Sequence, residues 1–335
     1  MQTPSVVLIR RRILAGTRNG VRVILGVAVA LTSTLSLAQV PDGAAMLAQM
    51  ASAMRSLDYQ GSFAYQHAGR IDTMRVYHAG GARERERLIS LNGPRSEVIR
   101  NGTQITCIQA DDSAVVYQSP AGRGLLPLVP NAADPTLGEH YQISIGASER
   151  VAGYDADIVD IVPRDDFRYG YRMWIEKATR LLLRSVVTDS KRRPLEQFMF
   201  VSLEIGTPPD DTDLVPRQRE LLTTTAAQGD EIDLRGEVAW KVAKPPPGFT
   251  LRSARRSREG ASGAQHLIYS DGLANVSIYV EPRSGKSDEM TTLAGRGTLN
   301  IATYSTDKWQ FTVLGDVPLA TVTAISQSLM PLTAP

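Results

Sequence analysis

The residues of this sequence that could carry chemistry are scattered. His67, His78, His140 and His266 stand singly, outside the His-x-x-x-His and Glu-x-x-His spacings that bring metal ligands together on a helix. The sequence also lacks a Gly-x-Ser-x-Gly elbow, a phosphate-binding loop and a dinucleotide glycine fingerprint. We therefore predict no catalytic residue, no metal site and no cofactor, and interpret the protein as a binding protein.

Clusters of arginine are the remaining candidates for ligand recognition. The run RERER at residues 83–87 would place three arginines on one face of a strand, and a second cluster lies at residues 252–258. The planar donor fork of arginine suits phosphate and carboxylate groups, so a phosphorylated glycolipid or an acidic peptide would fit such clusters. The alternative is that both clusters are solvated strand faces.

The N-terminal region has the three parts of a secretory signal. Residues 1–22 contain five arginines and no acidic residue, residues 23–37 are mostly apolar, and Ser36 and Ala38 are small residues at a cleavage position. We predict a signal peptide over residues 1–38, cleaved near Ala38, with a membrane anchor as the alternative. Without those five of its 37 Lys+Arg, the chain has 32 against 35 Asp+Glu, a charge of about −3, which disfavours nucleic acid as a partner.

Behind the signal, a helix precedes a long series of strands. Met46, Met50 and Met54 recur every four residues, which predicts an amphipathic helix that Asp42 can cap. From Tyr59 onward the apolar period changes to two, which is typical of strands. The helix must therefore lie against an apolar sheet face.

Eleven strands are predicted before residue 205, with almost no helix between them. Short turns separate most of them, including Asn-Gly pairs at residues 92–93 and 101–102, a dipeptide typical of hairpins. The pattern predicts an antiparallel sheet curled around the early helix. The predicted strands are 59–67, 70–78, 83–91, 96–101, 104–109, 114–118, 141–149, 157–162, 168–176, 180–188 and 195–203.

The chain then divides into a linker and a smaller domain. Residues 206–236 contain no aromatic residue and are rich in Pro, Asp, Thr and Gly, so we predict an interdomain linker between a domain at 39–205 and one at 237–335. The second domain is predicted as α+β, ending in a helix that starts near Pro318. Apolar residues of that helix would be Leu319, Val322, Ile325 and Leu329.

One face of the first sheet carries large apolar residues. Phe63, Tyr65, Val76 and Met173 belong to strands that must bury one side, and a deeply curved sheet could leave an apolar cleft there for acyl chains. Filling of the core is the alternative use of these residues. Cys107 is the single cysteine, so no intrachain disulfide can form, and we expect a buried free thiol.

Several segments together resemble one known family. LDYQGSFAYQHAGRIDTMRVYHA, RLISLNGPRSEVIRNGTQITC, YRMWIEKATRLLLRSVVTDSKRRPLEQFMF, PPGFTLRSARR, YSDGLANVSIYVE and GRGTLNIATY occur in order along residues 39–335 and resemble the MucB/RseB family. Members are periplasmic negative regulators of the sigma-E (AlgU-type) envelope stress response.

The resemblance implies a specific fold and function. It implies an N-terminal LolA/LolB-like curved antiparallel half-barrel that cradles helices, followed by a small C-terminal α+β domain. The family binds the periplasmic part of a RseA/MucA-type anti-sigma factor, shields it from site-1 proteolysis and so keeps the sigma factor inactive. The resemblance also implies that lipopolysaccharide or another envelope lipid releases the anti-sigma factor. The sequence does not decide the oligomeric state, and a homo-oligomer is one of the alternatives.

Site residues do not transfer from the family, so our candidates come from the residues themselves. The lipid-binding candidates are Phe63, Tyr65, Val76 and Met173 for an apolar cleft, with Arg83, Arg85 and Arg87 for lipid phosphates. The partner-binding candidates are Arg252, Arg255, Arg256, Tyr269, Asp271 and Gly272. A periplasmic lipoprotein or lipid carrier of the LolA type is the alternative function, and an envelope enzyme is a weaker one.

Overall fold

The computed structural model describes residues 42–335 except 82, 119–123, 127–135, 218–221, 226–229, 232–237, 257–263, 284–291 and 333–335. The predicted signal peptide therefore lies outside the described residues. No helix within the described part of the chain is long and apolar enough to span a membrane.

The early helix forms where its methionine pattern predicts. Helix α1 spans Gly43–Ser56, and the Asp42 carboxylate accepts a hydrogen bond from the Ala44 backbone N–H at 3.0 Å, which caps its first turn. Met46, Met50 and Met54 are all buried. The helix therefore presents one apolar stripe to the sheet below it.

All eleven predicted strands of the first part are present, and they form one large sheet. Its order is β12-β6-β5-β4-β3-β2-β1-β11-β10-β9-β8-β7, with every pair antiparallel except β12 and β6. The elements are β1 (Tyr59–His67), β2 (Arg70–Ala79), β3 (Arg85–Ser90), β4 (Glu97–Asn101), β5 (Gln104–Ile108), β6 (Ser113–Gln118), α2 (Leu137–His140), β7 (Tyr141–Val151), β8 (Tyr154–Pro163), β9 (Gly170–Glu176), β10 (Leu182–Thr188), β11 (Pro194–Ile205) and β12 (Leu222–Thr225).

The sheet curls strongly but stays open. The Tyr154 hydroxyl at the start of β8 donates to the Leu203 carbonyl oxygen of β11 at 3.1 Å, although two strands lie between them in the sheet. In a flat sheet, three strand spacings of about 4.8 Å would separate them. Within the described residues β12 and β7 do not pair with each other, so the sheet is a half-barrel that cradles α1, as predicted.

The second Asn-Gly pair shows how one of the predicted turns is made. Asn101 pairs with Gln104 across the β4–β5 hairpin, so the two central residues are Gly102 and Thr103 rather than Asn101 and Gly102. Gly102 has φ 62°, while Asn101 keeps an ordinary negative φ. A two-residue hairpin loop with a positive φ only at its first central residue is of type II′, and that position requires glycine. The hairpin was predicted correctly, but its centre lies one residue later.

The predicted linker contacts both sheets. A 3₁₀ helix at Asp211–Leu214 buries Leu214 against Tyr77 and Ile89 on the outer face of the first sheet. Farther along, β12 pairs with β6, and β13 (Asp230–Glu231) pairs with β15 (Thr250–Arg256) of the second sheet. The predicted domain boundaries stay predictions.

The second sheet has seven strands in the order β13-β15-β16-β17-β20-β19-β18. The remaining elements are β14 (Trp240–Val242), β16 (Gln265–Ser270), β17 (Asn275–Pro282), β18 (Thr292–Arg296), β19 (Leu299–Ser305), β20 (Trp309–Gly315), α3 (Leu319–Gln327) and β21 (Leu329–Pro331). Helix α3 buries Val322 and Ile325. The prediction was wrong for Leu319, which is exposed, and for Leu329, which pairs with Val242 in a two-stranded sheet. Strand β18 was not predicted.

Candidate functional site

The predicted apolar candidates lie on the inner face of the first sheet. Phe63, Val76 and Met173 are fully buried in the core that also contains α1, and the Phe63 ring contacts Phe198 with centroids 5.0 Å apart. Tyr65 is half-buried on the same face and donates its hydroxyl to Glu196 at 2.6 Å. In this structure the four side chains fill or border the core, and their role in lipid binding stays a prediction.

Of the three arginines of residues 83–87, Arg85 and Arg87 lie on the other side of the sheet, and Arg83 precedes the start of β3. Leu88 pairs with Val76, whereas Arg87 pairs with Tyr77, and alternate residues of a strand point to opposite faces. Arg87 is buried and donates from Nε and Nη2 to Glu97 at 3.1 and 2.7 Å. The structure therefore separates these arginines from the apolar candidates by the thickness of the sheet.

The outer arginines already contact the predicted linker. Arg85 donates to Asp211 at 2.7 Å, and Arg87 donates from Nη1 to the Asp213 carbonyl oxygen at 3.1 Å. Arg85 also borders a cavity of about 220 Å³ beside β4 and β5, while Arg83 is exposed. Binding of lipid phosphate by this cluster stays a prediction, since two of its three members have protein partners.

The second arginine cluster lies on β15. Arg252 and Arg256 are exposed, and Arg255 is half-buried opposite His266. Burial, together with the charge of Arg255, lowers the pKa of His266 to about 4. Tyr269 lies in the core of the second sheet, where its hydroxyl accepts the Val242 N–H at 3.0 Å. The structure keeps Tyr269 out of the exposed cluster.

Asp271 and Gly272 form the turn between β16 and β17, and that turn also joins the two sheets. Gly272 has φ 95°, and Asp271 Oδ1 accepts the N–H groups of Leu273 and Ala274 at 3.0 and 2.8 Å. Its other oxygen, Oδ2, accepts the Tyr141 hydroxyl of the first sheet at 2.9 Å. One carboxylate thus holds a hairpin turn and a contact between sheets.

Arg168 completes this contact from the β8–β9 loop. Its side chain is fully buried, with Nη1 3.1 Å from Asp271 Oδ2 and Nε donating to Asp165 at 3.0 Å. The guanidinium lies over the rings of Tyr141 and Phe249, at 5.4 and 5.3 Å from their centroids. Burial and the neighbouring Asp271 raise the pKa of Tyr141, so the hydroxyl keeps its proton and donates.

A second polar contact between the sheets centres on Glu196. Its Oε1 accepts the Thr298 N–H at 2.8 Å, and its Oε2 accepts the Tyr65 hydroxyl. Asn300 donates to the Tyr169 hydroxyl at 3.1 Å near the same place. Sequence reasoning missed Arg168 and Glu196, because each stands alone in the sequence and its partner lies about a hundred residues away.

Two further groups complete the inner face. His78 is buried, stacks on Tyr59 with ring centroids 4.4 Å apart, and contacts Glu84 at 3.3 Å. Cys107 is half-buried rather than fully buried. In the described part of the chain, no three His, Cys, Asp or Glu side chains are grouped to hold a metal ion.

Comparison with known proteins identifies the chain over nearly all of its described length. Residues 42–218 match the model of the MucB/RseB N-terminal domain, and residues 235–330 match that of the MucB/RseB C-terminal domain. The sigma factor AlgU regulatory protein MucB of Pseudomonas aeruginosa is 31% identical, with 92% of this chain and 96% of that protein covered. The sigma-E factor regulatory protein RseB of Escherichia coli K12 is 25% identical, with 86% and 91% covered.

Solved structures agree with the sequence matches. A crystal structure of MucB in complex with MucA(peri) superposes with a TM-score of 0.67 at 28% identity, covering 88% of this chain and all of that one. The Pseudomonas aeruginosa MucA/MucB complex gives the same TM-score at 30% identity, with the same coverage. On the two domain matches and the full-length relative, the chain belongs to the MucB/RseB family.

Proposed function

We propose that this protein is a periplasmic regulator that binds the periplasmic part of a membrane anti-sigma factor and so keeps a sigma-E-type factor inactive. One observation carries the proposal: the relative crystallised with MucA(peri) is covered over its whole length by this chain at a TM-score of 0.67. The predicted signal peptide of residues 1–38 would deliver the protein to that compartment.

The bound anti-sigma factor is protected from site-1 proteolysis in this proposal. An extended periplasmic segment held on the protein surface cannot enter a protease active site, so cleavage is slowed by the fraction that is bound. Adding residues 39–335 to the membrane anti-sigma factor and its site-1 protease should slow cleavage in proportion to occupancy. Heat-denatured protein is the control, and cleavage at an unchanged rate under saturating protein would contradict shielding.

Lipopolysaccharide or another envelope lipid acts as the releasing signal. Two ligands that prefer different arrangements of the protein weaken each other by the same factor, because binding free energies are linked. The contacts at Asp271 and Glu196 between the sheets are polar. Such an interface allows a change of arrangement more readily than a large apolar interface would. Half-buried apolar side chains on the inner face, including Met74 and Val98, are the residues an acyl chain would meet first.

The deciding experiment is a titration of residues 39–335 with the periplasmic segment of the cognate anti-sigma factor, with and without lipopolysaccharide. We expect saturable binding that the lipid weakens, and lipid binding that the segment weakens by the same factor. Lipid binding without segment binding would favour the carrier function instead. If lipid does not change segment binding, the result would support the regulatory function and contradict the lipid signal.

A further inference from the structure

A cavity of about 530 Å³ lies on the outer face of the first sheet, over β8, β9 and β10. Trp174 and Val186 form its floor, and the β8–β9 loop and the β10–β11 turn wall one end. None of the residues predicted from the sequence as site residues lines it. Its volume is within the range of about 300–1,000 Å³ that is usual for ligand pockets.

Most of the carboxylates at this cavity already have a partner. Arg172 holds Asp160 through two hydrogen bonds of 2.8 and 3.0 Å, and Trp174 donates its indole N–H to Glu149 at 2.8 Å. The remaining ion pairs join Asp165 to Arg168 and Asp189 to Arg193. Of the lining carboxylates, only Asp166, at the exposed rim, has no such contact within the described residues.

Three arginines that line the cavity have guanidinium N–H donors available for a ligand. Arg164, Arg184 and Arg192 have no carboxylate within 4 Å among the described residues. Arg184 lies over the Trp174 ring at 4.2 Å and makes one hydrogen bond, to Gln197 at 3.3 Å. A guanidinium presents five N–H donors, so this stacked pair and the two rim arginines can receive a carboxylate.

The surroundings favour a peptide over an acyl chain. Charged side chains surround the small apolar floor, and an acyl chain would have to desolvate them. The floor strands β9 and β10 are already paired on both sides, so a peptide would be recognised through its side chains rather than as an added strand. Met199, next to Arg184 across the β10–β11 pair, and Val201 are exposed and can contact an apolar residue of that peptide.

We propose that this cavity, the outer pocket (Arg164, Trp174, Arg184 and Arg192), binds an acidic segment of the anti-sigma factor. The proposal rests on the proposed function, because that function supplies the partner. Carboxylates of the segment pair with Arg164 and Arg192 at the rim, and one lies against the Arg184 guanidinium over Trp174.

The outer pocket shares a wall with the contact between the sheets. Arg164 starts the β8–β9 loop, and the next residues of that loop hold the second sheet through Arg168 with Asp271 and through Tyr169 with Asn300. A segment that fixes Arg164 therefore also fixes the loop that joins the sheets. Occupation of the pocket and the arrangement of the two sheets are then coupled in both directions.

The test compares two double charge reversals in residues 39–335. Arg164→Glu with Arg192→Glu changes the rim of the pocket, and Arg150→Glu with Lys191→Glu makes the same charge change at exposed residues outside the lining. We expect the rim variant to bind the periplasmic segment about tenfold more weakly than the control variant. A segment with Asn and Gln in place of Asp and Glu should bind both variants equally.

Each outcome decides the proposal. If the wild-type protein does not bind the segment, the proposed function is wrong. If both variants bind the segment equally, only the proposed role of the outer pocket is wrong. If the rim variant loses lipopolysaccharide and keeps the segment, the pocket is a lipid head-group site and the proposal is wrong. Circular dichroism and a thermal midpoint equal to those of the control show that the rim variant is folded, and Arg184→Gln provides a second, milder variant.

Discussion

The core of the first sheet and the contact between the two sheets are built in opposite ways. Inside the half-barrel, Phe63, Phe198 and Phe200 pack edge to face with centroids 5.0 to 6.0 Å apart, and none has a polar atom to satisfy. Between the sheets, the fully buried Arg168 and Asp271 form an ion pair, with Nη1 3.1 Å from Oδ2. Each also has polar partners of its own, since Arg168 pairs with Asp165 and Asp271 accepts the Tyr141 hydroxyl.

The apolar core and the contact between the sheets differ in how strictly they fix the geometry of the groups that meet. Apolar burial is non-directional and tolerates small shifts, so it gives stability to a permanent core. A buried ion pair contributes little net stability but demands one geometry, and it becomes costly when either partner is removed. A contact of the second kind is consistent with the proposed response of the two sheets to ligands, because its stability depends on a single geometry.

Truncation inside the apolar core should have the largest effect. Phe198→Ala removes a fully buried ring between β11 and its neighbours and should lower the free energy of unfolding by about 3–5 kcal/mol, measured by urea denaturation. Val201→Ala, on the same strand but exposed, should change it by less than about 0.5 kcal/mol. Equal effects of the two substitutions would contradict the assignment of the core.

Removal of one charge between the sheets should have the next largest effect. Asp271→Asn keeps the size of the side chain but removes the fully buried one of the two carboxylates that pair with Arg168, at a cost of about 2–3 kcal/mol. Hydrogen exchange should show this loss as faster exchange in the β8–β9 loop and the β16–β17 turn, with α1 unchanged. Asp166→Asn, in the same loop but exposed, is the control, and loss of protection in both variants would argue against a local role.

The hydroxyl contact at Glu196 should give a smaller effect. Tyr65→Phe deletes the bond to Glu196 and should lower the free energy of unfolding by about 1 kcal/mol. Tyr279→Phe, whose ring stacks on His266 at the surface of the second sheet, is the matched control and should be nearly neutral. An unchanged stability of the Tyr65 variant would show that the hydroxyl contributes nothing to the contact.

One histidine of each sheet should make stability depend on pH, and the two dependences should run in opposite directions. The pKa of His266 is lowered to about 4, so between pH 4 and 6.5 the unfolded chain binds the extra proton, and stability rises with pH. The pKa of His78 is raised: burial lowers it, but the hydrogen bond to Glu84 and the charge of Glu86 outweigh burial. Its contribution is therefore present below pH 6.5 and is lost as pH rises through its folded-state pKa.

NMR titration of the two imidazoles measures this difference directly. We expect the His78 signal to shift at a higher pH than an exposed histidine and the His266 signal at a lower pH. Coincident titrations would contradict the opposite environments. His266→Gln should flatten the pH dependence of stability below pH 6.5.

The local elements were predictable because their signals are local. A period of two along residues 59–205 predicted all eleven strands of that part, and a spacing of four between methionines predicted α1. Prediction failed where the pattern was weak or a distant partner decided. Strand β18 contains Gly295 and one large apolar residue, Leu293, and Leu329 forms a strand only because Val242 pairs with it.

The sequence by itself therefore determined the number and order of the strands in the first part, the helix beneath them and the family to which the chain belongs. Only the tertiary structure decided which faces meet. The register of β2 and β3 put Arg85 and Arg87 on the side opposite Phe63, and the packing of the two sheets brought Arg168 to Asp271 and Glu196 to Thr298 across about a hundred residues. The physical reason is that strand period and helix spacing repeat over a few residues, whereas buried polar contacts depend on register and curvature summed over a whole sheet.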